Sequence, residues 1–380
     1  MFLLFGVILC CLAALLAESL RLRRARRGVR LRIIVTGTRG KSSLVRILTA
    51  ACRAEVPATL GKTTGDAPEL LLPDGTCERL RRRGPARLTE QIRLLERCRA
   101  LGIECLVVES MTITPEVMRA ETRLLRPTHA AVVNVRDDHR ETLGDDPDAQ
   151  RAHYLAALPA EAVCLTRDRR LLAQAKAAGG PVFAPLPDGA EADPDRSVPD
   201  SMLRLAYDVL GACGLDTPRA RQAARTAAAG LVAAPRPVAA AGGGLTFLDA
   251  FSANDPESFA QLWAHWRQRL GSAATPWTVL LATRADRPLR TIQFCRWLAA
   301  RDDVDEVLLA GSHAPFAARV LRRLGVPVRA LRHRQGDEPA AVLALAAAGG
   351  PLQGKVLVGA GNAGGAGLRL RRALAPGGDA

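Results

Sequence analysis

The chain has 380 residues, 48% of them hydrophobic, so it can bury a large core and is most simply organised as two domains. Its net charge of +15 favours an acidic partner: nucleic acid, anionic lipid or a polyanionic substrate. Only 4% of the residues are aromatic and they do not interleave with basic ones, so we expect no nucleic-acid partner. The nine cysteines include no C-x-x-C pair, which argues against a zinc site and predicts reduced, buried thiols.

An uncharged apolar segment, residues 1–17, begins the chain, and six arginines follow it within residues 21–30. A helix of this length spans about 25 Å, the short end of a membrane crossing. Because the positive charge follows the apolar segment, we predict an uncleaved transmembrane anchor (residues 1–20) and a basic juxtamembrane linker (residues 21–30), with the body in the cytoplasm. The alternative is a helix packed on the body or on a partner subunit.

A predicted strand, residues 31–35, leads into a glycine loop and a helix; the loop reads Thr36-Gly37-Thr38-Arg39-Gly40-Lys41-Ser42-Ser43. In such loops backbone N–H groups surround phosphate, the lysine reaches the outer phosphates and the hydroxyl binds Mg²⁺. Val35 stands where the full P-loop pattern has its first glycine, so the match is to a shorter form. The alternative is a helix-capping loop with an incidental lysine.

Lysine is rare in this chain, since only four of the 53 basic residues are lysines. Two of them, Lys41 and Lys62, stand between a glycine and a serine or threonine. A compact ammonium fits between phosphate oxygens where a planar guanidinium does not. For residues 60–68, we predict a loop near the substrate, because no apolar strand precedes Lys62 and Pro68 prevents a long helix; a plain polar turn is the alternative.

Five arginines lie within residues 78–87, where they form either a solvated face or a surface toward anionic lipid or product. A predicted helix, residues 88–101, follows them. Two predicted strands, residues 103–110 and 129–135, then end in polar side chains.

Those polar side chains are candidate ligands, because ligands of doubly wound sheets gather at the carboxyl ends of the strands. Glu109 at the end of the first strand is placed to hold Mg²⁺. The second strand contains Asn134 and is followed by Arg136-Asp137-Asp138-His139. A histidine directly after two aspartates at a strand end is a further ligand candidate.

The remaining segments alternate between helix and strand, which favours α/β architecture with parallel sheets. Small residues and two prolines within residues 231–237 mark a domain boundary. The second domain has five predicted strands, at residues 245–250, 277–283, 304–310, 326–330 and 355–358. The glycine-rich loop at residues 359–365 superficially matches a dinucleotide fingerprint, but no βα unit and no acidic residue follow it, so we do not predict NAD binding.

Several motifs occur in the order typical of Mur ligases. They are Thr36-Gly37-Thr38-Arg39-Gly40-Lys41-Ser42, Glu109-Ser110, Asn134-Val135-Arg136-Asp137-Asp138-His139 and Asp249-Ala250-Phe251-Ser252-Ala253-Asn254-Asp255-Pro256-Glu257-Ser258. With the short apolar N-terminus, the Gly61–Pro68 segment and the late glycine loop, the chain most closely resembles the ligase family of poly-γ-glutamate synthases, within the Mur ligase-like superfamily. The resemblance implies an α/β fold: a P-loop ATPase domain with a parallel sheet (residues 31–234) and a smaller Rossmann-like α/β C-terminal domain (residues 235–380).

The resemblance also implies an activity. Such ligases use ATP and Mg²⁺ to convert a carboxylate into an acyl phosphate, which an amine attacks. The substrates would be glutamate and growing poly-γ-glutamate, a polyanion that suits the positive charge. Small membrane partner subunits and a location at the cell membrane are implied as well.

The family roles transfer to matching positions. Lys41 would hold the β- and γ-phosphates, and Arg236 would approach the γ-phosphate from the second domain. Mg²⁺ would be held by Ser42, Glu109 and His139. The catalytic residues would be Lys41, His139 and Arg236. Nucleotide binding would involve the loop from Thr36 to Ser43 together with Asn134, Asp249 and Asn254, and the carboxylate substrate would contact Lys62, Thr63, Thr64 and Gly65.

One departure concerns a second metal position. Mur ligases usually carry a carbamylated lysine about a dozen residues after the Asp-His pair, whereas residues 140–160 contain no lysine. Arg151 and His153 lie near the expected place and cannot be carbamylated in that way, which leaves the second metal position open.

Three other functions remain as alternatives. The first is another Mur-like ligase, such as a folylpolyglutamate-type enzyme, against which the anchor argues. The second is a non-catalytic nucleotide-binding scaffold of a capsule assembly complex, against which the Glu109 and His139 metal set argues. The third is a membrane-bound nucleic-acid ATPase, supported by charge alone.

Overall fold

The computed structural model describes residues 2–64, 68–82, 86–135, 144, 146–179, 183–184, 198–231, 236–240, 243–253, 255–270, 276–331, 336–347 and 350–374. The chain divides by its contacts into two units, Met1–Leu231 and Val232–Ala380. The predicted fold class, α/β with parallel sheets and an apolar N-terminal helix, is confirmed.

The N-terminal helix, α1 (Phe2–Gly28), is continuous through the arginine run. No glycine or proline occurs between Gly6 and Gly28, so nothing in the sequence stops the helix earlier. Its segment Leu4–Gly28 has a mean hydropathy of 2.0 in its most apolar window, and none of that window is buried. In the described part of the chain it is the one helix long and apolar enough to cross a membrane, judged by length and composition.

The last turns of α1 are fixed to the first unit, whereas the sequence predicted a separate linker there. Ala25 and the following Val29 are buried in a cluster that also contains Leu94 and Cys98 of α3 (Thr89–Ala100). Arg26 donates through Nη1 to the Leu124 carbonyl oxygen at 2.8 Å. The arginine run is therefore an integral part of the first unit and not only a charged tether.

The first unit contains a seven-stranded sheet with the order β4-β3-β2-β5-β1-β6-β7. Its strands are β1 (Leu31–Thr36), β2 (Thr59–Lys62), β3 (Glu69–Leu71), β4 (Cys77–Arg79), β5 (Cys105–Glu109), β6 (His129–Val132) and β7 (Val163–Thr166). Strands β2, β5, β1, β6 and β7 are parallel, and β3 and β4 add an antiparallel edge. Strand β1 lies between β5 and β6, so the carboxyl ends of these three strands share one edge of the sheet.

Helices cover both faces of this sheet. Besides α1 and α3, they are α2 (Lys41–Glu55), α4 (Pro115–Leu125), α5 (Pro147–Ala157), α6 (Arg169–Ala177), α7 (Val198–Ala212) and α8 (Pro218–Ala229). On one face α2 packs with α7 and α8 in a cluster that includes Leu44, Val209 and Ala224. On the other face Leu95 of α3 packs with Leu106 of β5. These apolar layers hold the carboxyl edge of the sheet in place.

Two local predictions for the first unit were wrong. Residues 60–62 form most of strand β2, although they were predicted as a loop. The segment becomes a strand because it pairs with β5, and a Cβ on Gly61 would lie only 2.3 Å from Thr49 Oγ1, so glycine allows this close approach. In addition, Cys10, Cys11 and Cys77 are exposed, although buried thiols were predicted.

The second unit contains a six-stranded sheet with the order β12-β11-β10-β13-β9-β8. Its strands are β8 (Arg236–Ala240), β9 (Gly243–Asp249), β10 (Trp277–Thr283), β11 (Val304–Gly311), β12 (Val328–Ala330) and β13 (Val356–Gly361). Its helices are α9 (Pro256–Leu270), α10 (Pro288–Ala299), α11 (Ala314–Arg323), α12 (Glu338–Ala346) and α13 (Ala366–Ala373). The five predicted strands are all present.

Strand β8 was not predicted, because its segment contains Pro237 and was read as a boundary. It pairs antiparallel with β9 at the edge of the sheet. An edge strand tolerates proline, since a missing N–H on its outer side breaks no ladder hydrogen bond.

Candidate nucleotide and metal site

The loop between β1 and α2 has the backbone conformation of a phosphate cradle. Gly37 has a φ of +123° and Gly40 a φ of +81°, both positive values that favour glycine. Gly40 is the N-cap of α2 and has no side chain with which to accept a hydrogen bond from the first turn. The N–H groups at the start of α2 are therefore oriented for an anion, which the helix dipole also favours.

Asn134 holds this loop from the end of β6. Its side-chain oxygen accepts from Thr38 Oγ1 at 2.8 Å and from the Arg39 N–H at 3.1 Å, and its amide nitrogen donates to the Arg39 carbonyl at 3.2 Å. Its backbone oxygen accepts from the Thr38 N–H at 2.9 Å. The structure thus brings Asn134 to the loop, where its side chain positions the cradle.

Lys41 lies across the loop. Its ammonium donates to the Gly37 carbonyl at 2.8 Å and to the Thr38 carbonyl at 3.3 Å. At the base of the loop the Thr36 hydroxyl is buried and has no hydrogen-bond partner in the described part of the chain. An ammonium that donates to neutral carbonyl oxygens can turn toward phosphate oxygens, because hydrogen bonds to a charged acceptor are stronger.

The Glu109 side chain accepts hydrogen bonds from the start of α2 and from the segment after β2. Its Oε2 accepts from Ser42 Oγ at 2.7 Å and from the Thr64 N–H at 2.8 Å, and the residue is only 3% exposed. A hydroxyl beside a carboxylate is a pair of hard oxygen ligands, which suits Mg²⁺. No group of three or more His, Cys, Asp and Glu side chains occurs among the described residues, and Mg²⁺ typically needs only one or two carboxylates besides phosphate oxygens and water. The residues present therefore fit a magnesium nucleotide.

Lys62 was predicted to lie in a loop near the substrate, but it is the last residue of strand β2. The residue is 1% exposed, and its ammonium donates to Gln91 Oε1 at 2.9 Å and lies 3.3 Å from Glu90 Oε2. Burial lowers the pKa of the Lys62 ammonium, although the Glu90 carboxylate opposes this effect. Thr63 is also buried, and its hydroxyl accepts from the Glu69 N–H at 3.2 Å, so it links the end of β2 to the start of β3.

A buried polar network that the sequence analysis missed continues from Lys62. The Glu121 side chain accepts hydrogen bonds from Gln91 and, at 2.7 Å, from Ser110 Oγ. Burial raises the pKa of the Glu121 carboxyl, despite these hydrogen bonds. A signal was present, because Glu121 lies on the buried face of α4 between Met118 and Leu125. A charged residue within the apolar stripe of a helix indicates a buried partner.

The remaining predicted site residues lie either outside the described residues or in the second unit. His139, Gly65 and Asn254 lie outside the described residues. Asp249 forms an ion pair with Arg371 at 2.7 Å within the second unit. The backbone of Arg236 begins β8 opposite Phe247.

The conformation of Gly37 leads to a stability prediction. A Cβ at this position would lie 2.6 Å from the Asn134 carbonyl oxygen. We expect Gly37→Ala to lower the free energy of unfolding by about 3 kcal/mol, since backbone strain and the clash add together, and to weaken ATP binding.

Gly102→Ala is the control, because a Cβ there meets no atom within 4 Å at a φ of +64°. It should cost only about 1 kcal/mol. Urea unfolding and binding of a fluorescent ATP analogue check both variants, and equal effects would contradict the role of Gly37.

Comparison with known proteins finds similarity to CapB in one family model and in two bacterial proteins. Residues 236–376 match the family model of the poly-gamma-glutamate synthase CapB C-terminal domain. The chain is 24% identical over 333 residues to PGA synthase CapB of Bacillus subtilis (strain 168), which covers 80% of this chain and 81% of that protein. It is 26% identical over 289 residues to the capsule biosynthesis protein CapB of Bacillus anthracis, which covers 70% of this chain and 60% of that protein.

Solved structures with the same fold include two types of ligase. E. coli FolC in complex with DHPP and ADP aligns with a TM-score of 0.57 at 15% identity, over 91% of this chain and 88% of that chain. MurC from Thermotoga maritima aligns with a TM-score of 0.59 at 12% identity, over 92% of this chain and 76% of that chain. At these identities the likeness shows the fold, and together with the CapB matches it confirms the resemblance drawn from the motifs.

Proposed function

Because residues 236–376 match the CapB C-terminal family model, most of the chain is similar to CapB proteins, and the fold is shared with MurC, we propose that it is an ATP-dependent amide ligase that polymerises glutamate through its γ-carboxyl group. The observation that carries the proposal is the contact of Ser42, at the start of the phosphate-loop helix, with Glu109 at the carboxyl end of the neighbouring strand. Structures with this fold contain ADP, or AMPPNP and a Mn ion, which supports the use of a nucleotide and a divalent metal here. We assign Mg²⁺ as that metal.

The loop residues would position the phosphoryl group. The N–H groups at the start of α2 bind phosphate oxygens, and the Lys41 ammonium leaves the Gly37 carbonyl to contact the β- and γ-phosphates. Ser42 and Glu109 would hold the metal, which would neutralise charge on the phosphates. With the phosphates held, a glutamyl γ-carboxylate attacks the γ-phosphorus, ADP leaves, and the amine of the second substrate displaces phosphate from the acyl phosphate.

The roles of His139, Arg236, Asp249 and Asn254 stay predictions that rest on the family resemblance. His139 would complete the metal ligands, and the other three would contact nucleotide. The roles proposed for Thr64 and Asn134 are more indirect, because Thr64 hydrogen-bonds Glu109 and Asn134 hydrogen-bonds the loop. We propose that both position the groups that contact ATP.

We also propose that the chain is a single-pass membrane protein with its catalytic body in the cytoplasm. Helix α1 is long enough, and its arginines lie at the end that joins the first unit. The positive-inside rule then places that unit in the cytoplasm, where ATP is available. An assembly with small membrane partner subunits would use the same helix.

The test is ligation of labelled glutamate by the full-length chain in membranes, with ATP and Mg²⁺. We expect a high-molecular-weight product that resists α-peptidases and does not form without ATP. Labelling that requires a folate would favour a folylpolyglutamate-type ligase, the activity named for a Yersinia pestis protein that shares the fold. ATP hydrolysis without an amide product would indicate the scaffold function.

A further inference from the structure

A basic pocket of about 490 Å³ lies between the β3–β4 hairpin and α3. The lining residues are Lys62, Leu70, Leu80, Arg81, Arg82, Arg87, Thr89, Glu90, Arg93, Leu94 and Arg97. The volume is in the range of ligand-binding pockets. Six side chains of the lining are cationic and one is acidic, and none is aromatic.

Three of the cations have no acidic partner among the residues that the structure describes. Arg82 forms a bidentate ion pair with Glu90 at 2.9 Å, and Arg97 pairs with Glu78 outside the lining. In the part of the chain that the structure describes, no carboxylate pairs with the exposed side chains of Arg81, Arg87 and Arg93. A row of unpaired guanidinium groups around a concave surface creates a positive potential that attracts anions.

The pocket is connected to the candidate metal site through Thr64. Arg82 Nη1 donates to the Thr64 carbonyl at 2.9 Å, and the Thr64 N–H donates to Glu109. Lys62, almost fully buried in the wall of the pocket, belongs to the strand that ends two residues before Thr64. Through Arg82 and Thr64, an anion in the pocket would therefore be connected by hydrogen bonds to Glu109, the carboxylate proposed to hold the metal.

We propose that this basic pocket binds the carboxylates of the acidic polymer that the proposed ligase extends. The inference rests on the proposed function for the identity of the polymer. Guanidinium groups bind carboxylates through paired N–H groups, and a polyglutamate chain presents one free carboxylate at every unit. The pocket holds the chain by these side groups, while its end reaches the site of acyl transfer.

Other anions fit less well. Single-stranded nucleic acid binds through base stacking on aromatic rings, and the lining offers no ring. Binding of an anionic lipid headgroup would need only an exposed cluster of arginines. It would gain nothing from the hydrogen-bonded connection through Arg82 and Thr64 to Glu109.

The test compares two double variants that remove the same charge. Arg87→Gln/Arg93→Gln changes the pocket, and Arg99→Gln/Arg123→Gln changes two exposed arginines of α3 and α4 outside the lining. Fluorescence anisotropy would measure binding of fluorescein-labelled poly-γ-glutamate to the full-length chain in neutral detergent without ATP. We expect the pocket variant to bind about tenfold more weakly than the unsubstituted chain, from the loss of two charge-assisted contacts. The control should bind within about twofold of the unsubstituted chain, because remote charges are screened.

Competition separates the possible ligands. Unlabelled poly-γ-glutamate should displace the labelled chain, whereas short-chain phosphatidylglycerol at an equal concentration of anionic groups should not. Equal weakening in both double variants, or displacement by the lipid, would overturn the inference and leave the proposed ligase intact. A chain that binds polymer through Arg87 and Arg93 but forms no amide with ATP would overturn the ligase alone.

Discussion

Lys41→Ala is expected to abolish most glutamate polymerisation, with a loss of about 10²-fold to 10³-fold in kcat. The ammonium donates to two carbonyl oxygens of the phosphate loop, those of Gly37 and Thr38. Its charge would be used mainly in the transition state, where negative charge moves onto the leaving phosphate. ATP-dependent incorporation of labelled glutamate measures the effect.

The variants that accompany Lys41→Ala test how the ammonium acts. Lys176→Ala removes an exposed lysine near the end of α6 and should retain full activity. Lys41→Arg keeps the charge but replaces a compact ammonium with a planar guanidinium, so we expect its polymerisation activity to remain strongly impaired. If Lys41→Ala keeps more than a small part of the activity, the assignment of the phosphate loop is wrong.

Glu109→Gln is expected to lower the ligase activity without lowering the stability of the folded chain. The carboxylate is buried, and no salt bridge to it occurs in the described part of the chain. An amide oxygen can still accept from Ser42 and Thr64, and it carries no charge to desolvate. We therefore expect an unfolding midpoint in metal-free buffer at least as high as that of the unsubstituted chain. Polymerisation at saturating Mg²⁺ should fall by about 100-fold, because a metal ligand has lost its charge.

Thermal unfolding with and without Mg²⁺ and ATP analogue measures the metal dependence. The unsubstituted chain should gain stability when both are added, and Glu109→Gln should gain much less, since ligand binding stabilises only a chain that binds it. Glu104→Gln is the matched control, because Glu104 is exposed just before the same strand. Glu109→Gln with an unchanged Mg²⁺ requirement would exclude Glu109 as a ligand.

The phosphate loop was predictable because all of its determinants are local. Gly37 and Gly40 supply positive φ values, and α2 begins at Lys41, all within the short segment that the sequence pattern defines. Glu109 was predicted as a metal ligand by a general rule, since the carboxyl ends of parallel strands meet at one edge. Neither prediction required knowledge of which strands are neighbours.

Lys62 shows where local reasoning fails. Its Gly-Lys-Thr surroundings resemble a turn, but pairing of β2 with β5 makes the segment a strand and places the ammonium against Gln91. Strand β8 was missed for the same reason, because Pro237 reads as a boundary until the edge pairing with β9 is known. Pairing between segments distant in sequence leaves little trace in a short window.

The amino-acid sequence by itself determined the α/β class and the apolar helix, and it predicted the glycine loop before α2 and the resemblance to CapB proteins, because periodicity, glycine spacing and motif order are properties of consecutive residues. Only the tertiary structure decided that Asn134 clamps the loop, that Thr64 contacts Glu109, and that the arginines of the β3–β4 hairpin and α3 surround one pocket. The physical reason is that hydrogen bonds and charge clusters of this kind depend on distances between chain segments, which strand order and helix packing set.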